Sequence, residues 1–324
     1  MRTKVVIASA PDALKTQYLA PLANAADVVL TADPAELKDI LPAAEVLVIG
    51  LLHEERVLAT VWEYARSVRW VHSLSAGVDG ILFPELARSN VLLTNARGVF
   101  KRPLAEFALL GMLMHFKRVR TLIENQRTRQ WSGVEVELLR GKTMGVVGYG
   151  EIGRECALLG HALGMRIHAL RKHPGRSGGD PIIERVFKPE ELLLMLGEID
   201  VLVCAAPLTD ETRHLLSDEA FAAMKPGAFV INVGRGPVID ESALIRALLE
   251  QRISGAALDV FEREPLPNDS PLWGMDNVLV SPHSADHTVV PDSLQLTINF
   301  FIQNFLRYRN GEPLENIVDK QAGY

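Results

Sequence analysis

Cysteine is nearly absent: Cys156 and Cys204 are two residues in a chain of 324. They offer no disulfide framework, and each sits where a small buried residue belongs, one in a helical pattern and one in an apolar strand. A reducing, cytoplasmic setting is expected. Long apolar runs are missing too. The N-terminal stretch M-R-T-K-V-V-I-A-S-A meets Pro11 and Asp12 before it reaches the length of a secretory signal, and reads as a first strand. The net charge is −6 and the basic residues form no long run, so neither nucleic acid nor a membrane is an expected partner. No repeat or low-complexity block occurs. What remains is a chain 48% hydrophobic and 23% charged, large enough to bury cores in two domains of ordinary size.

The stretch that organises this chain is T-M-G-V-V-G-Y-G-E-I-G, from Thr143 to Gly153. An apolar strand breaks into Gly148, Gly150 and Gly153; a helical pattern (Ile152, Cys156, Leu159, Leu163) runs to Gly164; a second strand follows from Met165 to Leu170. Such a βαβ unit is a phosphate cradle. Gly148 allows the tight turn, Gly150 lets backbone reach a pyrophosphate, and Gly153 lets the helix pack closely on the strand, while the helix opens at Glu151 and Ile152 with its amides toward the phosphates. The plainer alternative is three glycines in an ordinary strand-to-helix turn.

Upstream, apolar runs at Lys4 to Ala8, Ala26 to Leu30, Val46 to Ile49, Trp70 to Ser73 and Val91 to Thr94 alternate with helical stretches, including Pro34 to Leu41 and Glu54 to Arg66. That alternation predicts a parallel sheet and a complete small α/β domain. One long helix is expected from Pro103 to Gln126, apolar on more than one side and available as a core helix or a subunit interface. Beyond the cradle, strands near Val186, Val201 to Cys204, Ala228 to Val233, Gly255 to Asp259 and Val278 to Val280 predict a six-strand doubly wound sheet. A last helix is expected from Val290 to Tyr308.

Three segments place a reactive side chain just after a predicted strand, at the ligand-binding edge of an open α/β sheet. They are I-N-V-G-R-G-P-V-I-D with Arg235, A-L-D-V-F-E-R-E-P-L-P with Glu264 and V-S-P-H-S-A with His283. Singly, each reads as a loop arginine, a solvated glutamate or a backbone-satisfied histidine; together on one edge they read as a site. With the cradle, and with L-S-A-G-V-D (74 to 79), T-N-A-R-G-V (94 to 99), P-L-T-D-E-T (207 to 212), M-K-P-G-A (224 to 228) and P-L-W (271 to 273), the chain resembles the D-2-hydroxyacid dehydrogenases over nearly its whole length.

The resemblance implies two doubly wound parallel-sheet α/β domains. A Rossmann cofactor domain, 102 to 283, is inserted into a discontinuous flavodoxin-like substrate domain, 1 to 101 plus 284 to 324. It also implies cofactor contacts from Pro207 and Thr212, a carboxamide partner in Asp259 and a nearby carbonyl at Val233. The chemistry agrees. Hydride transfer to a 2-keto acid asks for a planar cation on the carboxylate and carbonyl (Arg235), an acid for the oxygen (His283) and a carboxylate holding that imidazole (Glu264). The small loop Leu74, Ser75, Ala76, Gly77 would present consecutive amides to the substrate carboxylate opposite Arg235. No metal is assigned.

Two departures stand out. The acid expected after the second strand is missing, and the sequence reads Arg171-Lys172-His173 instead. A 2′-phosphate is thus favoured over a bare ribose: NADP(H) over NAD(H), with Arg171 the better partner because its fork matches phosphate. Asp286 stands where the family leads us to expect glycine. The expected protein is a homodimeric reductase of small 2-keto acids, of the glyoxylate or hydroxypyruvate type. The alternatives are a cofactor-sensing protein resembling the C-terminal-binding corepressors, or a phosphite-type dehydrogenase.

Overall fold

The computed structural model describes residues 2–9, 16–50, 55–173, 175, 179–289 and 292–323. The chain divides into two compact units, Met1–Phe100 with Thr288–Tyr324, and Lys101–His287.

In the first unit, Thr3–Ala8 (β1), Ala26–Thr31 (β2), Val46–Ile49 (β3), Trp70–Ser73 (β4) and Leu92–Asn95 (β5) pair in parallel in the order β2-β1-β3-β4-β5. That is the flavodoxin-like order. β3 and β4 are buried at every position, as a parallel sheet covered on both faces requires. On one face pack Pro34–Ile40 (α1), Glu55–Val61 (α2) and Pro84–Arg88 (α3), through Leu37, Leu58 and Leu86. α1 starts where it does because Asp33 accepts the Ala35 amide ahead of a proline. The expected helix from Glu54 is α2 followed by a single 3₁₀ turn, Trp62–Tyr64; Glu54 itself lies outside the described residues.

The opposite face is covered by the C-terminal helix, Ser293–Asn310, whose Ile298, Phe301 and Phe305 pack with Trp70. It begins after the expected Val290, which is outside the described residues, because Asp292 caps it by accepting the Leu294 amide. It stops at Gly311, whose φ of 71° is the left-handed cap that glycine adopts without strain. The chain then returns to the sheet: Ile317 bridges Thr94 antiparallel, Val318 donates to the Leu93 carbonyl, and the Lys320 ammonium donates to the carbonyls of Leu86, Ser89 and Val91.

In the second unit the strands are Thr143–Val147 (β6), Arg166–Leu170 (β7), Arg185–Phe187 (β8), Val201–Cys204 (β9), Ala228–Asn232 (β10), Ile253–Leu258 (β11) and Val278–Val280 (β12), in the order β12-β11-β10-β9-β6-β7-β8. Counted from β6 this is the Rossmann order with a seventh strand, and its switch point lies between β6 and β9. The sheet has seven strands, one more than the expected count of six, although each of the seven falls on a stretch the sequence marked as a strand. That includes the edge strand β12, which pairs with β11 in register, Ala256 opposite Val278.

The helices of this unit are Lys101–Phe116 (α4), Val119–Arg127 (α5), Glu151–Ala162 (α6), Leu192–Leu196 (α7), Asp218–Ala223 (α8) and Glu241–Leu249 (α9). The single helix expected from Pro103 to Gln126 is thus two, broken where Arg118 takes a φ of 52°. Packing accounts for the break. α4 buries Leu104, Ala105, Ala108, Gly111, Met112 and Phe116, whereas α5 buries nothing that would hold it on the same axis.

Candidate active site

The glycine turn after β6 divides its labour among three positions. Gly148 has a φ of +89° and lies so close to Ala206 that a Cβ would come within 2.5 Å of that residue's amide nitrogen. A Cβ on Gly153 would come 2.2 Å from the Gly148 carbonyl oxygen, so α6 sits directly against the turn. Gly150 is different: nothing lies within 4 Å of its Cβ position. Packing therefore requires two of the glycines, and the third faces open space at the first turn of α6, with Glu151 and Ile152 following it. A dinucleotide pyrophosphate fits such a turn, since unpaired helix amides and the positive end of the helix dipole favour an anion there.

Arg235 follows β10. Asn232 shapes its turn by accepting the Gly234 amide on Oδ1 at 3.1 Å and donating from Nδ2 to the Arg235 carbonyl at 3.1 Å. Gly236 presses against the next loop, where a Cβ would fall 1.8 Å from the Phe261 carbonyl oxygen. That contact joins the arginine turn to the loop carrying Glu264. Glu264 Oε1 accepts the Phe261 amide at 3.0 Å and Oε2 meets His283 Nδ1 at 2.7 Å. A carboxylate can only accept, so Nδ1 carries the proton and Nε2 is left for chemistry.

His283 has a φ of 52°, a region that non-glycine residues enter only when their surroundings hold them. Asp259, at the end of β11, does the holding. Its carbonyl accepts the His283 amide at 2.9 Å. Its Oδ1 accepts the Ser281 hydroxyl at 2.6 Å and the amides of Ser284 and Ala285 at 3.0 Å each. Asp259 is almost wholly buried. Its bonds run to the 281–285 turn, so it acts on the histidine's backbone rather than capping the turn after its own strand.

The pair's electrostatics follow from this geometry. Hydrogen bonding to Glu264 raises the His283 pKa; burial and the Arg235 charge pull it down without winning, and the charges of Glu264 and Asp259 add to the rise. For Glu264, burial alone would raise the pKa. The bonds from His283 and the Phe261 amide, with the charges of His283 and Arg235, outweigh it and hold the carboxyl below its ordinary value. Asp286 is the opposite case, its pKa raised chiefly by burial and also by Asp259, against the lowering pull of His287 and His283.

Among the other expected residues, Thr212 Oγ1 donates to the Pro207 carbonyl at 2.7 Å and receives the Thr209 amide at 2.8 Å, folding 207–212 into a compact loop. Val233 continues β10 by donating to the Cys204 carbonyl. Arg171 follows β7, with its guanidinium 5.7 Å from the centre of the Tyr149 ring. Lys172 reaches Glu211 at 2.6 and 2.8 Å, an acid on the 207–212 loop that the sequence did not connect with it. Asn232 and Ser281 are the positioning residues that sequence reasoning missed; each is a short polar residue at a strand end, where it passes for a turn former.

In the first unit, Leu74 to Gly77 follow β4. Leu74 donates to Ile49, and the Ser75 amide donates to Ser73 Oγ. The next three amides, of Ala76, Gly77 and Val78, have no acceptor among the described residues.

A family model for the NAD binding domain of D-isomer specific 2-hydroxyacid dehydrogenases matches residues 109–285. The chain is similar to a glyoxylate reductase of Thermofilum pendens, 32% identical over 94% of this chain and 91% of that one. It is also similar to a glyoxylate/hydroxypyruvate reductase B of Pectobacterium carotovorum, 35% identical over 80% of this chain and 82% of the other. Among solved structures, it resembles an NADPH-dependent glyoxylate/hydroxypyruvate reductase of Sinorhizobium meliloti in complex with NADP and sulfate. The TM-score there is 0.85 at 26% identity, and both chains are fully covered. Sequence match, sheet order and full-length similarity agree, and the chain belongs to the D-isomer specific 2-hydroxyacid dehydrogenase family.

Proposed function

We propose that this protein reduces small 2-keto acids of the glyoxylate or hydroxypyruvate type to D-2-hydroxy acids with NADPH. The observation that carries the reading is the 2.7 Å pair of His283 and Glu264, on the same sheet edge as Arg235 and the glycine turn. Gly148, Gly150, Glu151, Ile152 and Gly153 are assigned to the pyrophosphate, Pro207, Thr212, Val233 and Asp259 to the nicotinamide half, and Arg171 and Lys172 to the 2′-phosphate. When bound, the cofactor supplies the hydride. His283, protonated with help from Glu264, gives its Nε2 proton to the substrate's developing alkoxide. Arg235 orients the carboxylate and carbonyl through its fork. The amides of Ala76, Gly77 and Val78 take the carboxylate's charge. On this reading the unit of residues 101–287 is the cofactor domain, and the unit formed by 1–100 with 288–324 is the substrate domain.

NADPH is favoured because no acid follows β7. Arg171 is the stronger candidate because its guanidinium fork matches phosphate, and NADH remains the second choice. The relatives described above support both halves of the reading. We also propose a cytoplasmic homodimer. The thiols of Cys156 and Cys204 are buried and unpaired. Leu110, Leu122, Ile123, Trp131, Val136 and Leu138 expose apolar surface along one stretch of chain, which a second copy would cover. Light scattering at micromolar concentration should give twice the chain mass, and Ile123→Glu should shift it toward the monomer.

The test of function is a panel of 2-keto acids assayed with NADPH and with NADH. Glyoxylate and hydroxypyruvate should lead the panel, and kcat/KM should be larger with NADPH. A preference for NADH by about tenfold, ~1.4 kcal/mol, would overturn the phosphate assignment.

A further inference from the structure

The amide row of Ala76, Gly77 and Val78 is held in place from behind. Within a planar trans peptide the carbonyl and the following N–H point in opposite directions, so fixing one fixes the other. The Ser75 carbonyl accepts the Ala96 amide at 3.0 Å, which turns the Ala76 N–H away from the end of β5. The Ala76 carbonyl accepts Asn95 Nδ2 at 2.6 Å, which turns the Gly77 N–H away likewise. Asn95 closes β5, is 4% exposed and uses both ends of its amide, since Oδ1 accepts the Arg97 N–H at 3.2 Å.

Asn95 is in turn seated by the C-terminal segment. Asn316 Nδ2 donates to the carbonyls of Asn95 at 3.3 Å and Arg97 at 2.8 Å, and the Asn95 amide donates to the Asn316 carbonyl at 3.4 Å. The Arg97 guanidinium reaches Asn316 Oδ1 at 3.4 Å. Asn316 holds a φ of 54° to do this, between the C-terminal helix and the bridge from Ile317 to Thr94.

We propose that Asn95, seated by Asn316, is the positioning residue that keeps the Ala76 and Gly77 amides aimed at an anionic ligand, so that the C-terminal segment sets affinity for the substrate's carboxylate. This rests on the reading that those amides take the carboxylate. It adds the residues that aim them and a role for residues 315–318, which touch no proposed catalytic group. The ligand is a small 2-oxo or oxamic carboxylate, and neither asparagine meets it directly.

The experiment uses the full chain loaded with NADPH, with oxamate as a non-reacting probe titrated calorimetrically and glyoxylate as substrate. Asn95→Leu keeps the side chain's bulk and removes its donor. Oxamate Kd and glyoxylate KM should each rise about tenfold, with kcat within about threefold of wild type and NADPH affinity unchanged, as loss of one well-placed hydrogen bond implies. Asn316→Ala should move the same two quantities by about threefold, and the double variant should match Asn95→Leu within about twofold because both act through one route.

Unchanged oxamate Kd in both single variants would overturn the proposal. So would losses falling equally on kcat and NADPH binding, multiplying effects in the double variant, or a wild type that binds no oxamate. Should Asn95→Leu fail to fold, Asn316→Ala carries the same test. Oxamate binding is read without turnover. A protein showing these losses of oxamate affinity while reducing no 2-keto acid would uphold the positioning role and end the reductase reading.

Discussion

His283 combines a left-handed backbone, a buried aspartate that anchors its turn and a carboxylate on Nδ1. Glu264 raises its pKa, so the acid persists to higher pH than an unpaired histidine would. Glu264→Gln should therefore move the alkaline limb of the reductive kcat/KM profile toward lower pH, and activity should survive in acid, where His283 is still protonated. An unmoved limb would remove Glu264 as the partner. His283→Ala should lose about 10²–10⁴-fold at every pH.

The same pair has a stability signature. The histidine's contribution is complete below its ordinary 6.5 and fades as pH rises through its raised value; the glutamate's is complete above its ordinary 4.5 and fades as pH falls through its lowered value. The Tm gap between wild type and Glu264→Gln should therefore be widest between pH 4.5 and 6.5. Arg235→Lys keeps charge but loses the fork, and kcat/KM should fall about a hundredfold, ~2.7 kcal/mol, with NADPH binding intact. The positions of Arg235, Glu264 and His283 after strands were legible in the sequence because a strand end in an open sheet is a place as well as a pattern. Asn232, Ser281 and Asn95 were not, since their work is to hold a neighbour, and a short polar side chain at a strand end carries no mark of its partner.

At the scale of the element, the cradle separates packing from binding. Gly153→Ala drives a Cβ into the Gly148 carbonyl and should lower stability by about 1–3 kcal/mol, read as a drop in Tm without cofactor. Gly150→Ala meets nothing within 4 Å and should leave that Tm unmoved while weakening NADPH binding. Equal effects of the two on Tm would contradict the division. The βαβ unit was legible because its periods change from strand to helix to strand within one short run. The break between α4 and α5 was not, because the sequence stays compatible with helix through Lys117 and Arg118, and only the burial of α4 against α6 and β11, where Gly111 nears Ala257, decides where the axis turns.

Across the whole molecule, the first unit is closed by a segment far away in sequence: the helix Ser293–Asn310 and the tail that follows it return to the sheet of residues 3–95. Periodicity shows each piece but not the return, which came from resemblance. Each unit also holds a histidine kept neutral by its surroundings, His72 fully buried and His115 half-buried. Burial lowers the pKa of His72 to about 3 and that of His115 to about 4, the latter helped by Arg118. Below 6.5 the unfolded chain binds protons that these sites refuse, so stability should fall as pH drops from 6.5 toward 4. Thermal melts of His72→Leu should show a shallower acid slope than wild type; an equal slope would assign the acid sensitivity elsewhere.

The most direct test of the central claim is the configuration of the product formed from hydroxypyruvate and NADPH. A site built from Arg235, Glu264 and His283 in this family should deliver the hydride to one face and yield the D-hydroxy acid alone on chiral chromatography, with one NADPH consumed per product molecule. Formation of the L-isomer, a racemate, or no NADPH oxidation at all would contradict the account.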